Sequence, residues 1–282
     1  AKTRGEIGES FKGKLREIVE YFDENGWDID EPVFMRIYMA VATGTARFKE
    51  AKEELKGIAA QRAIKYLDYV KEALDNTVKV LKSMGVKEVR YLVSKYSLVT
   101  LAYYIFKRKS ITPEDFHSLK RWLLLSSFNK RYTGRLESDL GEDIKLISDG
   151  KGLKELENQL TIKEVTESLL DNIYGNEHLV ALSILLKNGY DLRKDIPTPV
   201  KIGELKPDEI QIHHIFPKDL LGKIYGDKKI GGMDLETAYD HVSNITIISR
   251  EANVKIGSKR PDEYLRWFSK KMLKSHYIPV SY

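Results

Sequence analysis

The sequence predicts a mainly α-helical fold, in which a helical body precedes a small unit with a two-stranded antiparallel hairpin and flanking helices. Three observations lead to this prediction. Proline is missing between Pro32 and Pro113, so long helices can run there without interruption. Apolar residues then recur at steps of three and four, a spacing typical of helices. After residue 208 the pattern changes to short segments rich in β-branched residues, which favour strands.

The helical body contains several periodic segments. One helix is expected to begin at Pro113, because Thr112 can cap it and acidic residues follow in its first turn. Further helices are expected within residues 160–173 and 178–187. The clearest periodicity lies in residues 52–83, where the apolar positions are Ala63, Leu67, Val70, Leu74, Val78 and Leu81.

The boundary between the two parts is predicted near residue 190. Residues 188–208 hold three prolines and two glycines and have no helical period. We therefore expect a helical domain over residues 1–190, a linker over residues 191–208 and a second domain over residues 209–282.

The second domain begins with a predicted strand at residues 210–216, and another strand is predicted at residues 244–249. A short helix is expected at residues 251–258, and Pro261 is suited to open a further one. The predicted order is therefore strand, insertion, strand and helix.

Two adjacent histidines, His213 and His214, lie near the end of the first predicted strand. In a regular strand, neighbouring side chains point to opposite faces. The two imidazoles can therefore share one site only if the strand ends or bends there. Pro217 supports such an exit, because proline cannot donate to a continuing ladder.

Composition narrows the classes of function. The absence of cysteine excludes disulfides, iron–sulfur clusters and thiolate zinc sites, and it fits a cytoplasmic protein. No apolar run approaches the length of a membrane span, so no membrane partner is expected. The net charge is +5. Basic residues concentrate in residues 103–135 and 248–276, which form either solvated helix faces or surfaces for nucleic acid.

The sequence HHIFP at residues 213–217 carries the strongest motif. Asn244 opens the second predicted strand, and Asn253 lies nine residues later on the predicted helix. Element by element, this region resembles the HNH, or ββα-metal, nuclease finger. The resemblance implies a metal-dependent DNA endonuclease that hydrolyses phosphodiester bonds.

The resemblance also implies roles for individual residues. His214 would be the general base that activates water, and Asn244 would hold the loop that carries His214. His213 and Asn253 would bind one divalent cation. A neutral imidazole ligand favours a transition metal (Mn²⁺, Ni²⁺, Co²⁺ or Zn²⁺) over Mg²⁺. The positions expected to contact the DNA backbone are Lys255, Lys259 and Arg260.

A narrower resemblance concerns the C-terminal region of GmrSD-type modification-dependent restriction enzymes. The segments HHIFPKDLL and KIGSKRPDEYL resemble its nuclease part, and residues 121–145 resemble the helical region that precedes it. This implies a role in defence against foreign or modified DNA. Such proteins usually begin with a ParB-like nucleotide-using domain, whose motifs are not found here. We therefore expect such a domain to precede this chain in a longer protein or to act as a separate partner.

Two other functions are compatible with these residues. One is a catalytically inactive HNH-like module that binds DNA. The other is a structural zinc site formed by His213, His214 and His241, although such sites need four ligands. Asp240 and His241 are interpreted as residues that cap or pack a loop. The pair of residues 131–132 is interpreted either as a DNA contact or as packing at a helix end.

Overall fold

The computed structural model describes residues 4–194 and 197–279. The chain divides into two compact units, residues 1–83 with 87–165 and residues 84–86 with 166–282. The described part is mainly helical and contains one two-stranded antiparallel sheet, which confirms the coarse fold prediction. The division lies near residue 165 rather than at the predicted linker. No helix within the described ranges combines the length and the apolar character that a membrane crossing needs.

The first unit is built from helices. They are α1 (Arg4–Glu24), α2 (Glu31–Thr43), α3 (Phe48–Lys56), α4 (Ala60–Met84), α5 (Ser97–Arg108), α6 (Pro113–Phe128), α7 (Leu136–Ser148) and α8 (Leu153–Glu157).

Helix α6 begins where the sequence predicts. The Thr112 hydroxyl accepts a hydrogen bond from the Asp115 backbone N–H, and the Asp115 carboxylate accepts one from the Thr112 backbone N–H, each at 3.1 Å. This reciprocal pair satisfies two backbone donors that a helix start would otherwise leave open. Pro113 lacks such a donor and fits the first helical position.

The periodic segment at residues 52–83 forms two helices instead of one. Helix α3 ends at Lys56, and α4 begins at Ala60, with Gly57 between them. Glycine weakens a helix interior because it loses more backbone freedom than other residues on folding. The predicted apolar stripe is buried along α4, at Leu67, Val70, Leu74, Val78 and Leu81.

The helix predicted at residues 160–173 is wrong over most of its length. Only Glu167–Leu170 is helical there. The Asn129 side-chain oxygen accepts hydrogen bonds from the backbone N–H groups of Thr161 and Ile162, at 2.8 and 2.9 Å. These bonds join the start of the stretch to a side chain more than 30 residues earlier in the chain. The sequence predicts a helix here because the apolar residues of the stretch recur at the spacing of a helical face.

The second unit carries the sheet. Strand β1 (Ile210–His214) pairs antiparallel with β2 (Ile245–Ser249). Its helices are α9 (Glu167–Leu170), α10 (Asn176–Leu186), α11 (Lys218–Tyr225), α12 (Leu235–Tyr239), α13 (Arg250–Ile256), α14 (Pro261–Tyr264) and α15 (Lys270–Ser275).

The sheet and α13 form one continuous arrangement. The Ser249 hydroxyl accepts a hydrogen bond from the Ala252 backbone N–H at 3.0 Å, so the last residue of β2 caps α13. Ala252 and Ile256 place the apolar face of α13 in the core of the unit. This core also contains Ile215, Ile248, Tyr264, Leu265, Phe268, Leu273 and Ile278.

The segment predicted as a linker is part of the second unit. Within residues 191–208, residues 195–196 lie outside the described ranges. Leu192 is buried in the core of the unit. The buried Asp191 carboxylate accepts a hydrogen bond from the Ser249 backbone N–H at 2.7 Å and is paired with Arg193. This part of the segment is therefore fixed at the end of β2.

Candidate active site

Both histidines of the motif belong to β1. His213 is opposite Thr246 and His214 is opposite Ile245 in the antiparallel register. One further backbone hydrogen bond extends the pairing of β1 and β2, from the Ile215 N–H to the Asn244 carbonyl at 2.9 Å. The strand ends directly after His214, and the two imidazoles contact different elements.

His213 is 4% exposed and contacts α13 and α14. Its Nδ1 lies 2.8 Å from the Asn253 side-chain oxygen, and the Asn253 amide nitrogen donates to the Gln211 side-chain oxygen at 2.8 Å. In this arrangement the His213 Nδ1–H donates to Asn253. The imidazole meets the Tyr264 ring edge to face, with centroids 5.8 Å apart. His213 and Asn253, the two predicted metal ligands, are therefore in direct contact.

This pair has the geometry of two ligands to one cation. Donor atoms about 2.1 Å from an ion and at right angles to each other lie about 3 Å apart. The nitrogen of His213 and the oxygen of Asn253 are separated by 2.8 Å. Burial lowers the pKa of His213 below its ordinary value of 6.5, against the opposing effect of the Asn253 hydrogen bond. Burial therefore favours the neutral imidazole, which is the form that binds metals.

His214 is held on three sides by other residues. Its imidazole stacks on Tyr239 with centroids 3.8 Å apart and an interplanar angle of 7°. Tyr174 approaches it edge to face at 6.1 Å. Its Nε2 lies 3.0 Å from an Asp240 carboxylate oxygen, and its side chain is 19% exposed. An imidazole in a fixed orientation, partly open to water, has the arrangement that a general base needs.

Asn244 connects the second strand to the loop that follows β1. Its side-chain oxygen accepts a hydrogen bond from the Phe216 backbone N–H at 2.7 Å. Its amide nitrogen donates to the carbonyls of Phe216 and Tyr239, at 3.1 and 2.9 Å. Asn244 therefore joins the chain two residues beyond His214 to the residue on which the His214 imidazole stacks.

The three predicted DNA-contact residues are exposed and already contact their own chain. Lys255 donates to the Lys194 carbonyl at 3.2 Å. Lys259 donates to the Lys255 carbonyl at 3.1 Å, near the end of α13. Arg260 pairs with Asp262 at 3.0 Å. They form a cationic surface that follows Asn253 along the chain, and DNA would have to compete for these contacts.

The sequence did not point to the residues that surround His214. The sequence indicates a loop position for Asp240 and no role for Tyr239 or Tyr174. Asp240 lies 26 residues from His214 along the chain, so no local pattern links them. The one available signal was the position of Asp240 shortly before Asn244.

The three histidines of the alternative zinc site have separate partners. The His241 Nδ1 accepts from the Ser243 backbone N–H at 3.3 Å, and its Nε2 lies 2.9 Å from Asp171. This is the loop-capping role considered for His241. Over residues 4–194 and 197–279, no three or more His, Cys, Asp or Glu side chains converge in a group able to hold a metal ion.

No protein-family model matches the chain. The chain is similar to the uncharacterized protein MJ0686 of Methanocaldococcus jannaschii, with 28% identity over 196 residues. This match covers 66% of the chain and 31% of the longer archaeal protein.

Proposed function

We propose that the protein is a metal-dependent DNA endonuclease. The observation that carries the proposal is the position of His214 at the end of β1, partly exposed and fixed by Tyr239 and Asp240. The His213–Asn253 pair follows the same motif, and Asn244 holds the loop beyond His214. The resemblance of this region to the HNH finger supports the same function.

In the proposed reaction, His214 removes a proton from a water molecule. The water oxygen then forms a bond to the phosphorus of a DNA phosphodiester, and the bond from phosphorus to the leaving oxygen breaks. The leaving oxygen takes a proton from solvent, and the protonated His214 then releases its proton to solvent, which restores the neutral base. General-base assistance of this kind contributes roughly 100- to 10,000-fold to the rate.

His213 and Asn253 would hold one divalent cation, with the cation in place of the Nδ1 proton. When bound, such an ion stabilises the negative charge that develops on the phosphate during hydrolysis. Both protein ligands are uncharged in the neutral state of His213. The anionic ligand would therefore come from the DNA phosphate, and a transition metal would be preferred over Mg²⁺.

The proposed biological role is defence against foreign or modified DNA. It rests on the resemblance of residues 213–221, 255–265 and 121–145 to GmrSD-type restriction enzymes. A ParB-like nucleotide-using domain, in the same protein or in a partner, belongs to this proposal. The exposed lysines and arginine at residues 255–260 would contact the phosphates of the DNA.

A second candidate is an HNH-like module that binds DNA without cutting it. The observation that favours it is the closed contact between His213 and Asn253, together with the 4% exposure of His213. If no cation replaces the proton in this hydrogen bond, the second unit can still bind DNA through its basic surface.

Plasmid nicking with a panel of metals tests the proposed function. We expect higher activity with Mn²⁺, Ni²⁺ or Co²⁺ than with Mg²⁺ at equal concentration, because an imidazole suits those ions better. His213→Asp replaces the imidazole with a carboxylate and should shift the preference towards Mg²⁺. If Mg²⁺ supports the parent best and the variant shows no shift, His213 is not a metal ligand.

A further inference from the structure

We infer that Asp240 is a positioning residue for His214, one that selects which nitrogen of the imidazole acts as the base. This inference rests on the proposed function. Asp240 lies between α12 and Asn244, and its carboxylate oxygen is 3.0 Å from the His214 Nε2.

The main chain of Asp240 is fixed at both its N–H and its carbonyl, which sets where its side chain begins. The Asp240 N–H donates to the Glu236 carbonyl at 3.0 Å, which closes the end of α12. The Asp240 carbonyl accepts from the Tyr174 backbone N–H at 2.9 Å. Because Tyr174 also contacts the His214 ring, the carboxylate and the imidazole share the same support.

The direct hydrogen-bond partner of this carboxylate is His214, while Lys218 acts on it only through longer-range electrostatics. Lys218, the cation near the Tyr239 ring, forms an ion pair with Glu236. The Asp240 side chain is 38% exposed, so water can reach part of it while one oxygen faces the imidazole. This oxygen is therefore placed to accept a hydrogen bond from the His214 Nε2–H.

An ionised carboxylate can only accept hydrogen bonds, so the proton of a neutral His214 must be on Nε2. The Nδ1 atom then carries the lone pair that takes a proton from water. After that transfer the imidazole is positively charged, and the carboxylate stabilises the charge at Nε2. Stacking on Tyr239 at 3.8 Å holds the imidazole in this plane, and the Asp240 contact selects the ring orientation within it.

The test compares Asp240→Asn with Glu236→Gln, a matched control. Each variant removes one carboxylate beside α12, Glu236 in its first turn and Asp240 directly after its last residue, but only Asp240 contacts His214. We expect Asp240→Asn to lower kcat for plasmid nicking about 10- to 100-fold, the usual cost of losing a carboxylate that orients a functional histidine. DNA affinity should not change, because neither carboxylate belongs to the basic surface. Asp240→Glu keeps the charge and should recover part of kcat.

A spectroscopic measurement tests the same point without cleavage. Nitrogen-15 NMR of labelled histidine distinguishes the two neutral tautomers, at about pH 8 where imidazoles are uncharged. His214 should carry its proton on Nε2 in the parent and in Glu236→Gln, and lose this preference in Asp240→Asn. Unchanged kcat and an unchanged tautomer in Asp240→Asn would overturn the inference. Failure of the proposed function appears separately, as a parent that does not cut DNA, and the tautomer result then decides the inference alone.

Discussion

A polar cluster in the first unit and the histidine site in the second unit show two uses of buried polar groups. In the first unit, Arg131 forms a bidentate ion pair with Asp143 at 2.6 and 2.8 Å. The Tyr132 hydroxyl bonds to the same carboxylate and lies 2.7 Å from the Thr100 hydroxyl. All four residues are buried, and Asp143 is 0% exposed. The burial of these side chains favours packing over DNA contact for residues 131–132.

The histidine site is only partly closed. The His214 side chain is 19% exposed, and its Nε2 is bonded to Asp240, which leaves Nδ1 for chemistry. The Asn253 oxygen faces His213 across a distance suited to a shared cation. A closed polar cluster stabilises the fold, whereas a polar cluster that is partly exposed to water has groups available for a reaction. Substitutions in the two regions should therefore affect different measurements.

The largest effect is expected from His214→Ala. Loss of the general base should reduce the rate of plasmid nicking roughly 100- to 10,000-fold. The melting temperature and DNA affinity should change little, because His214 is partly exposed and lies outside the basic surface. His117→Ala is the matched control, since His117 is exposed on α6 and should have no effect. Parent-like nicking by His214→Ala would remove His214 from the role of base.

The next largest effect is expected on the stability of the fold, from a substitution in the closed polar cluster around Arg131 and Asp143. Asp143→Ala leaves the Arg131 guanidinium buried without its carboxylate, which typically costs about 3–5 kcal/mol in free energy of unfolding. Urea unfolding measures this loss. Asp139→Ala, one turn earlier on α7, keeps the carbonyl that Arg131 contacts and should cost much less. Equal losses in free energy of unfolding in both variants would show that the Arg131–Asp143 ion pair contributes no more to stability than the Asp139 side chain.

A smaller effect separates the two asparagines of the site. Asn244→Ala removes three hydrogen bonds that hold the loop and should destabilise the second unit by roughly 1–3 kcal/mol. Its nicking activity should fall and should not recover with excess metal. Asn253→Ala should raise the metal concentration needed for activity, and excess metal should restore it. Metal titration of each variant checks this, and the reverse pattern would exchange the two roles.

The smallest effect concerns Asp115, whose partner guanidinium on Arg108 is half exposed. Burial raises the pKa of Asp115, but hydrogen bonds from Arg108, Tyr104 and Thr112 outweigh it and lower the pKa from 3.8 to about 2. Because the folded-state pKa is depressed, this stabilisation is present above pH 3.8 and is lost as pH falls towards 2. The contribution is about 2 kcal/mol.

Acid unfolding of the parent and Asp115→Asn measures this term. The parent should lose about 2 kcal/mol more than the variant between neutral pH and about pH 2. Identical acid profiles would mean that Asp115 has the same pKa in the folded and unfolded states.

Local sequence patterns predicted the parts of the structure that depend on local contacts. Thr112 and Pro113 predicted the start of α6, and the β-branched run at residues 244–249 predicted β2. The motif also predicted that His213 and Asn253 lie close together, although 40 residues separate them along the chain. That result came from family resemblance, because spacing alone does not join a strand to a later helix.

The missed features depend on contacts between distant residues. The helical pattern at residues 160–173 does not report the contacts that the Asn129 side chain makes with the backbone N–H groups of Thr161 and Ile162. The support of His214 by Tyr174 and Asp240 comes from positions 40 residues before it and 26 residues after it. No periodicity or motif in one sequence reports such contacts.

The most direct test of the central claim is cleavage of supercoiled plasmid by the parent protein with Mn²⁺. We predict that nicked circles accumulate with the metal and that none form when a chelator is present. A matched binding assay on the same DNA establishes that the protein engages its substrate. Binding without cleavage under Mn²⁺, Ni²⁺, Co²⁺, Zn²⁺ and Mg²⁺ would contradict the account and favour the non-cutting DNA-binding module.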